Sequence, residues 1–468
     1  MKIALPKGRL LDKTSTLLHE AGWELDGYDS KSRFYHIKSG KFPRLRAKVF
    51  HEKDIPIQVA VGNYDLGICG LDWIEELLAG YPGSALVKIS ALGYAGGSLY
   101  MVACPETADA MKNTPGSQHL VSIVSEYPNL SESFALNRRF GRFSVFPVWG
   151  GAEVYPPENA DLALVRAASE AEIYGYGMVP VSKILEYGSF LIANRHSWES
   201  KNLGKVVASI CDHSAGLPDD QNDPSPVNEK ISVTCLPSVP AENIVRLALP
   251  DGHQQQPVVE LLSRAGINVE DYPSSSGNRR PVIDIDGVAV KVIRPQDMPV
   301  QVANGNFDIA ITGRDWLTEH LNQFPSSPVR ELTDLGFGRV RIVAVVGQTM
   351  PADDTAGLRR FCAERETPLR VASEYVNVAD KYARDNHLGH YRIVPTWGAT
   401  EAFLPEDADL LIENTQTGKT IAEHNLKIIE TLFESTACLV GNTGIKPGTR
   451  KGEIIASIVT TLQEAVAA

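Results

Sequence analysis

Residues 54 to 73, DIPIQVAVGNYDLGICGLDW, reveal the organisation of the chain because they occur twice. Residues 297 to 316, DMPVQVANGNFDIAITGRDW, match them at 12 of 20 positions and at an offset of 243. Residues 147 to 162, PVWGGAEVYPPENADL, match 395 to 410, PTWGATEAFLPEDADL, at 9 of 16 positions and an offset of 248. The blocks keep their order, so the chain is a tandem duplication whose period is far longer than a solenoid repeat.

The repeat divides the chain into two copies joined by a linker. We assign residues 1–212 to the first copy, 213–243 to the linker and 244–468 to the second copy. Inside the linker, residues 216 to 229 read GLPDDQNDPSPVNE, and a polar run rich in Pro and Asp is typical of a connection between domains. We therefore expect two complete folding units.

Each copy alternates short apolar runs with helix-like segments. Ile3 to Leu5 and Leu99 to Ala103 are examples of the runs, and Leu10 to Ala21 and Asp54 to Val61 are examples of the helix-like segments. The alternation predicts an α/β fold with two lobes per copy, at roughly 1–92 and 100–200 in the first, each around a mainly parallel sheet. A ligand would bind in the cleft at the carboxyl ends of the strands.

The composition excludes several classes of protein. With 43% hydrophobic and 22% charged residues among 468, the chain can bury a large core and is not disordered as a whole. Lys and Arg number 45 against 57 Asp and Glu, so the net charge of −12 has the wrong sign for a general nucleic-acid binder. Six scattered cysteines without zinc-binding spacing are expected to be reduced thiols. Because no apolar run has signal-peptide or membrane-spanning length, we expect a cytoplasmic protein with no membrane partner.

The segment 409 to 426, DLLIENTQTGKTIAEHNL, is the best candidate for binding an anion. We predict a strand at Asp409 to Ile412, a loop at Thr415 to Thr420 and an amphipathic helix at Ile421 to Leu432. The free N–H groups at a helix start bind phosphate, Gly418 lets the chain approach closely, and Lys419 adds a positive charge.

Two details of this segment narrow the ligand. A nucleotide P-loop would need Gly at the position of Glu413, so that interpretation fails. A carboxylate at this point can instead accept hydrogen bonds from sugar hydroxyls, which predicts a site for a ribose 5-phosphate. A helix capped after a Gly turn, with no ligand, is the alternative. The predicted binding residues are Glu413, Asn414, Thr415, Gln416, Thr417, Gly418, Lys419 and Thr420.

This segment resembles the phosphoribosyl-diphosphate loop of the ATP phosphoribosyltransferase family. Other blocks follow in the family's order, including ALPKGRL at 4 to 10, the Asp-Ile-Pro helix with Asp65 to Ile68, and Ser373-Glu374-Tyr375. The resemblance implies two tandem copies of a two-lobed fold of the periplasmic-binding-protein type (type II), each of the short form without a C-terminal regulatory domain. It also implies a histidyl-tRNA-synthetase-like regulatory partner and a pseudo-dimer able to associate further.

The resemblance further implies a reaction and its site. N1 of the ATP adenine attacks C1 of phosphoribosyl diphosphate and expels pyrophosphate, without a protein nucleophile. Mg²⁺ would bind through substrate oxygens, with no dedicated protein ligands. Weaker candidates for contacts to ATP or pyrophosphate are Arg341, Arg294, Arg279, Thr312 and Gly313.

The two copies diverge at the positions that would bind the substrates. In the first copy, Val165 to Glu172 replace Glu413 to Thr420, so that Gly becomes Glu170 and a second carboxylate follows at Glu172. We infer that the first-copy phosphate site is inactive. The first copy nevertheless keeps Lys7-Gly8-Arg9, where the second has Asp251-Gly252-His253.

Each copy has therefore lost residues that the other retains. This suggests that the first copy supplies basic residues to a single site in the second. The candidates in the first copy are Lys7, Arg9 and Arg33.

Two other functional classes remain open. The same two-lobed fold serves solute capture, so a binding module is one alternative. The degenerate first copy also allows a non-catalytic regulatory or ligand-binding paralogue of the enzyme.

Overall fold

The fold is described from a computed structural model, which describes residues 1–29, 35–113, 119–214, 243–275 and 277–467. Arg33 and most of the predicted linker at 213–243 lie outside these ranges. The chain forms two compact units. Unit 1 comprises the described residues of Met1–Pro147, Tyr155–Val233 and Thr396–Ala402, and unit 2 those of Val148–Val154, Thr234–Pro395 and Phe403–Ala468.

Unit 1 alternates strands and helices, as the sequence predicts. Its strands are β1 (Lys2–Lys7), β2 (His36–Lys38), β3 (Arg46–His51), β4 (Leu66–Gly70), β5 (Leu86–Ala91), β6 (Gly97–Ala103), β7 (Val121–Ser125), β8 (Phe143–Pro147), β9 (Leu162–Ala167), β10 (Val179–Tyr187) and β11 (Ser189–Asn194). Its helices are α1 (Leu11–Glu20), α2 (Asp54–Ala60), α3 (Leu71–Gly80), α4 (Pro105–Asn113), α5 (Pro128–Asn137), α6 (Glu170–Gly175), α7 (Arg195–Ser200) and α8 (Gly204–Ser214).

The strands of unit 1 form two sheets, one for each lobe. Their orders are β2-β3-β1-β4-β11-β5 and β10-β6-β9-β7-β8. In the first sheet β1 is central and parallel to both neighbours, and its residues Ile3 to Leu5 are fully buried. Gly67 lets α2 pack closely on β4, because a Cβ there would lie 2.8 Å from side-chain atoms of Ile55 and Val59.

Unit 2 repeats this plan. Its strands are β12 (Val245–Pro250), β13 (Val269–Glu270), β14 (Val282–Ile283), β15 (Val288–Ile293), β16 (Ile309–Gly313), β17 (Val329–Asp334), β18 (Val340–Gly347), β19 (Leu369–Ser373), β20 (Tyr391–Pro395), β21 (Leu410–Thr415), β22 (Leu426–Ser435) and β23 (Ala437–Asn442). Its helices are α9 (Gln255–Arg264), α10 (Met298–Ala303), α11 (Arg314–Gln323), α12 (Thr355–Ala363), α13 (Val376–Asp385), α14 (Lys419–Glu423) and α15 (Arg450–Ala467).

The larger sheets of unit 2 have the orders β15-β12-β16-β23-β17 and β20-β19-β21-β18-β22, with β13 and β14 as a separate pair. Each sheet has its own apolar core. The predicted fold is confirmed: the chain consists of two tandem copies of a two-lobed α/β fold of the periplasmic-binding-protein type. Among the described helices, none combines the length and apolar character that a membrane crossing requires.

Two sequence-based expectations about the lobes are wrong in detail. The sheets are mixed rather than mainly parallel, and the last strand of each copy returns to the first lobe. β11 pairs antiparallel with β4 and β5, and β23 pairs antiparallel with β16 and β17. Each first lobe is therefore assembled from both ends of its copy, which short apolar runs alone do not reveal.

The helix predicted at Ile421 to Leu432 is also wrong. α14 ends at Glu423, and Asn425 takes a left-handed conformation (φ 56°). The chain then continues as the strand β22, which pairs antiparallel with β18. Asn tolerates this conformation better than most residues, so it can end a helix. The β-branched and aromatic residues after it favour a strand once β18 offers a partner.

Candidate functional site

The predicted phosphate loop joins β21 to α14 in the second lobe of unit 2. Residues Gln416 to Gly418 connect the two elements, and Gly418 is left-handed with φ 76°. The Gly418 N–H donates to Thr415 Oγ1 at 2.9 Å, and the Lys419 N–H donates to Thr417 Oγ1 at 3.3 Å. The loop is therefore ordered by its own hydroxyl groups, and Gly418 occupies a conformation that suits glycine.

Several N–H groups of this loop remain available for an anion. The first N–H groups of a helix have no intrahelical acceptor. No protein acceptor takes the N–H of Gln416, Thr420 or Ile421 within the described ranges. Lys419 contributes less directly, because its side chain is 72% exposed and its Nζ lies 3.7 Å from Glu423 Oε1.

Arg341 is the cation beside the loop. It lies on β18 opposite Thr415 of β21, and a Cβ on Gly418 would be 3.9 Å from its Nη2. Among the described residues, no hydrogen bond or ion pair engages its guanidinium. A guanidinium without a protein partner next to free N–H groups is suited to bind a phosphate. The first copy has the buried Ser98 at this position.

A chain of hydrogen bonds ties the loop to Asp315 in the first turn of α11. Asn414 Nδ2 donates to the Tyr375 hydroxyl at 3.1 Å, and this hydroxyl donates to Asp315 Oδ2 at 2.6 Å. Ser435 Oγ donates to Asp315 Oδ1 at 2.9 Å. Burial, followed by the nearby Asp315 carboxylate, raises the pKa of Tyr375 well above its ordinary value, so its hydroxyl remains a donor. Asn414 is thus held at the strand end, next to Glu413.

Thr312 and Gly313, predicted as weak substrate contacts, lie at the end of β16. Thr312 is fully buried and its hydroxyl donates to the Pro295 carbonyl at 2.8 Å. A Cβ on Gly313 would lie 2.0 Å from Asp315 Oδ1. In this structure the Thr312 hydroxyl is therefore engaged by Pro295, and Gly313 leaves the space that the Asp315 carboxylate occupies.

Arg279 and Arg294 lie together in the first lobe of unit 2. Asp251 Oδ2 is 3.1 Å from Arg279 Nη1, and Asp251 Oδ1 is 3.2 Å from Arg294 Nη1. Glu153 Oε1 lies 3.0 Å from Arg279 Nε. The Arg294 side chain is 41% exposed and that of Arg279 is 23% exposed. Arg294 is therefore the more accessible of the two cations.

The corresponding loop of unit 1 is closed by its own carboxylate. The Ala168 N–H donates to Glu172 Oε2 at 2.8 Å, and the Tyr176 hydroxyl donates to Glu172 Oε1 at 2.9 Å. Ala168 corresponds to Gln416, whose N–H is available in unit 2, and Glu172 corresponds to Thr420. An internal carboxylate thus takes an N–H group that an anionic ligand would use.

The basic residues kept by the first copy are engaged inside unit 1. Arg9 donates from Nε to Glu52 Oε1 at 2.8 Å and from Nη2 to Asp72 Oδ2 at 2.7 Å. Arg166 Nη1 lies 3.6 Å from Glu52 Oε1, and Lys7 Nζ lies 5.4 Å from the centre of the Tyr35 ring. The structure thus places Lys7 and Arg9 in interactions of unit 1.

Sequence reasoning assigned no role to Tyr375, Asp315 or Glu153. Tyr375 belongs to the repeated Ser-Glu-Tyr block, Asp315 to the repeated Asp-Trp pair, and Glu153 recurs as Glu401. Their recurrence in both copies was the available signal, but it does not distinguish a structural role from a functional one.

The fold and the loop together define a class: a duplicated, two-lobed α/β protein whose second unit keeps an intact strand–loop–helix turn. The family model described as HisG: ATP phosphoribosyltransferase matches residues 51–212 and again 294–464, together more than half of the chain. The chain belongs to the ATP phosphoribosyltransferase family.

Individual relatives match about the length of one copy. The ATP phosphoribosyltransferases of Chlorobaculum parvum and Chlorobium phaeovibrioides are each 31% identical over 231 residues, which is 48% of this chain and 73% of each relative. The solved ATP phosphoribosyl transferase (HisG:HisZ) complex from Thermotoga maritima is 24% identical over 48% of this chain and 99% of that one, with a TM-score of 0.39. The periplasmic aliphatic sulphonate binding protein SsuA from Escherichia coli is 15% identical, and the match covers 46% of this chain and 68% of SsuA, with a TM-score of 0.29.

Proposed function

We propose that this protein catalyses the ATP phosphoribosyltransferase reaction, the first step of histidine biosynthesis, at a single site in unit 2. In this reaction a bond forms between N1 of the ATP adenine and C1 of phosphoribosyl diphosphate. The bond from C1 to the diphosphate oxygen breaks, and pyrophosphate leaves with its electron pair. The products are phosphoribosyl-ATP and pyrophosphate.

The difference between the two loops carries this proposal. In unit 2, the turn from β21 into α14 offers free N–H groups beside Arg341, whose guanidinium lies near Gly418. In unit 1, Glu172 occupies the matching N–H group. An anion would therefore meet donors in unit 2 and a carboxylate in unit 1, and the like charge disfavours binding there.

The residues of the loop have separate tasks in the proposed mechanism. The hydroxyls and N–H groups of Thr417 to Thr420 bind the 5-phosphate, with Arg341 as the counter-charge. Glu413, which is half-buried and lies in β21, accepts hydrogen bonds from the ribose hydroxyls. Catalysis comes from holding two anionic substrates in line, an effect worth about 7–11 kcal/mol in well-oriented reactions, and from stabilising the departing pyrophosphate.

We also propose that Mg²⁺ enters with phosphoribosyl diphosphate. This ion commonly keeps several waters and binds through substrate phosphates, so the site needs no dedicated protein ligands for it. When bound, Mg²⁺ neutralises charge on the diphosphate. Arg294, the more exposed of the two arginines bound to Asp251, is the proposed protein contact for the diphosphate or the ATP phosphates.

The cellular setting is part of the proposal. We propose a cytoplasmic enzyme that, like short forms of the family, works with a histidyl-tRNA-synthetase-like regulatory subunit. Size-exclusion chromatography of the purified chain with and without such a subunit would test the association.

Pyrophosphate release from ATP and phosphoribosyl diphosphate tests the proposed function. Turnover is expected for the wild type and is lost with Gly418→Glu, because a carboxylate about 4 Å from a phosphate costs about 4 kcal/mol at an effective dielectric constant of about 20, or about 1,000-fold in affinity. The matched change in unit 1, Glu170→Gly, is expected to leave turnover unchanged. Activity that survives Gly418→Glu would contradict the single-site proposal.

A regulatory or ligand-binding paralogue remains the second candidate. The observation in its favour is that Asp251 replaces Lys7 of the first copy and binds both Arg279 and Arg294. Tight binding of the substrates without turnover would support that function instead.

A further inference from the structure

Glu153 belongs to the first copy of the sequence but lies in unit 2. The segment Val148–Val154 is part of that unit, and the Trp149 N–H donates to Asp297 Oδ2 at 3.0 Å. From this segment, Glu153 Oε1 lies 3.0 Å from Arg279 Nε. Both side chains are about one quarter exposed, at 26% and 23%, so solvent screens this pair less than it would a fully exposed one.

Glu153 and Asp251 hold Arg279 through different nitrogens. Glu153 takes Nε, whereas Asp251 and the Val292 carbonyl take Nη1 at 3.1 and 3.3 Å. The two Nη1 contacts are hydrogen bonds and the Nε contact is an ion pair, and together they restrain the position of the guanidinium. Among the described residues, no hydrogen bond engages Nη2, so this nitrogen can donate to an anionic ligand.

Gly151 provides independent support for this close fit. A Cβ at Gly151 would lie 3.1 Å from Arg279 Cζ, closer than ordinary van der Waals contact. Gly151 has φ 70°, yet the matching residue of the second copy is Ala399, with φ 53°. Because the turn accepts alanine there, the turn alone does not require glycine at 151. The glycine at position 151 is explained instead by the space that the guanidinium of Arg279 needs.

The matching segment of the second copy lacks this arrangement. Glu401, which corresponds to Glu153, forms no ion pair among the residues that the structure describes. The position of Asp251 is taken in the first copy by Lys7, whose ammonium faces the Tyr35 ring. The cluster of ion pairs that joins Arg279 to Glu153 and Asp251 is therefore specific to unit 2 among the described residues.

We propose that Glu153 is a positioning residue for phosphoribosyl transfer in unit 2, acting through Arg279 on the anionic substrates. This rests on the proposed function. The first copy of the sequence then contributes to the reaction through a carboxylate that orients a second-copy arginine.

The test compares Glu153→Ala with Glu401→Ala in the full chain. We expect Glu153→Ala to lower kcat/KM roughly 10-fold to 100-fold, because a small misplacement of a binding group has effects of that size. Glu401→Ala is expected to leave kcat/KM unchanged. In the Arg279→Ala background, Glu153→Ala should have no further effect, since it acts through that residue.

Gly151→Ala supplies a second variant that keeps Glu153. It should displace the guanidinium by a few tenths of an ångström and lower kcat/KM, while the reverse change, Ala399→Gly, should not. The positioning role is overturned if Glu153→Ala lowers the melting temperature but not kcat/KM, or if its effect adds to that of Arg279→Ala.

A wild type without turnover would refute the proposed function separately. Calorimetric titration with ATP and with phosphoribosyl diphosphate then decides the role of Glu153. Binding weakened roughly 10-fold in Glu153→Ala, but not in Glu401→Ala, would support it. Equal affinities in the two variants would overturn it.

Discussion

Replacing Tyr375 with Phe isolates the hydroxyl that links the loop to Asp315. The ring of Tyr375 packs on Trp316 at 4.5 Å between centroids, and Phe keeps that packing. What is lost is the 2.6 Å hydrogen bond to Asp315 and the 3.1 Å bond from Asn414. Both polar partners lose the buried hydroxyl.

Unit 1 offers a matched control in Tyr127→Phe. The Tyr127 hydroxyl donates to Asp72 Oδ2 at 2.7 Å, and its ring stacks on Trp73 at 4.3 Å. Asp72, however, also keeps both contacts with Arg9, at 2.8 and 2.7 Å. Among the described residues, Asp315 has no comparable cation and keeps only the neutral Ser435 beside the tyrosine.

The two substitutions should therefore differ in their cost. A hydrogen bond to a charged group contributes about 1.5–3 kcal/mol, and a neutral one about 1 kcal/mol. We expect about 3 kcal/mol for Tyr375→Phe and about 1.5 kcal/mol for Tyr127→Phe. For a unit of about 200 residues, each kcal/mol lowers the melting temperature by about 2–4 °C.

Differential scanning calorimetry measures these shifts, and pyrophosphate release measures activity. We expect the larger shift and a loss of kcat/KM for Tyr375→Phe, because Asn414 is no longer anchored at the loop. Tyr127→Phe should keep its kcat/KM. Equal melting shifts, or equal activities, would show that the hydrogen-bond chain does not distinguish the two units.

Three further predictions follow from single contacts. Arg341→Met should weaken the binding of phosphoribosyl diphosphate about 10-fold to 100-fold, as measured by calorimetry, because a charged hydrogen bond worth about 1.5–3 kcal/mol is lost. The control is Arg339→Met, which changes a side chain that is 73% exposed and should leave the affinity unchanged. Gly313→Ala should lower the melting temperature, because its Cβ would lie 2.0 Å from Asp315 Oδ1; an unchanged melting curve would contradict this. Burial, and then the positive charges of Lys53 and Arg166, lower the pKa of His51 to about 4. As the pH falls, this imidazole is therefore protonated in the unfolded chain before it is protonated in the folded one. The free energy of unfolding then decreases as the pH drops from about 6.5 to 4. His51→Gln should remove about 2 kcal/mol of that fall, allowing for partial exposure, as measured by denaturation at pH 7 and pH 4.5.

The sequence predicted the parts of the fold that depend on local pattern. The duplication was visible because whole blocks recur, and the strand and loop around Gly418 followed from an apolar run and a Gly-containing turn. The return of β11 and β23 was not predictable in this way, because antiparallel pairing with a distant strand depends on long-range contacts. The strand at Leu426–Ser435 was missed because its spacing also fits a helix, and the pairing with β18 determined the outcome.

The candidate site was predictable to the same extent. The 413–420 segment could be identified from its residues, whereas the contact between Glu153 and Arg279 joins positions that are far apart in sequence. For the unit 1 loop, the sequence predicted an inactive phosphate site but not the hydrogen bond by which Glu172 closes it. The sequence indicated repulsion of a phosphate, and the structure adds that the carboxylate binds the Ala168 N–H itself.

The most direct test of a single phosphoribosyl site is the number of phosphoribosyl diphosphate molecules bound by each chain. Isothermal titration calorimetry of the full chain with Mg²⁺ should give one bound molecule per chain, and Gly418→Glu should abolish the signal. Two molecules per chain, or one that persists in Gly418→Glu, would contradict the account.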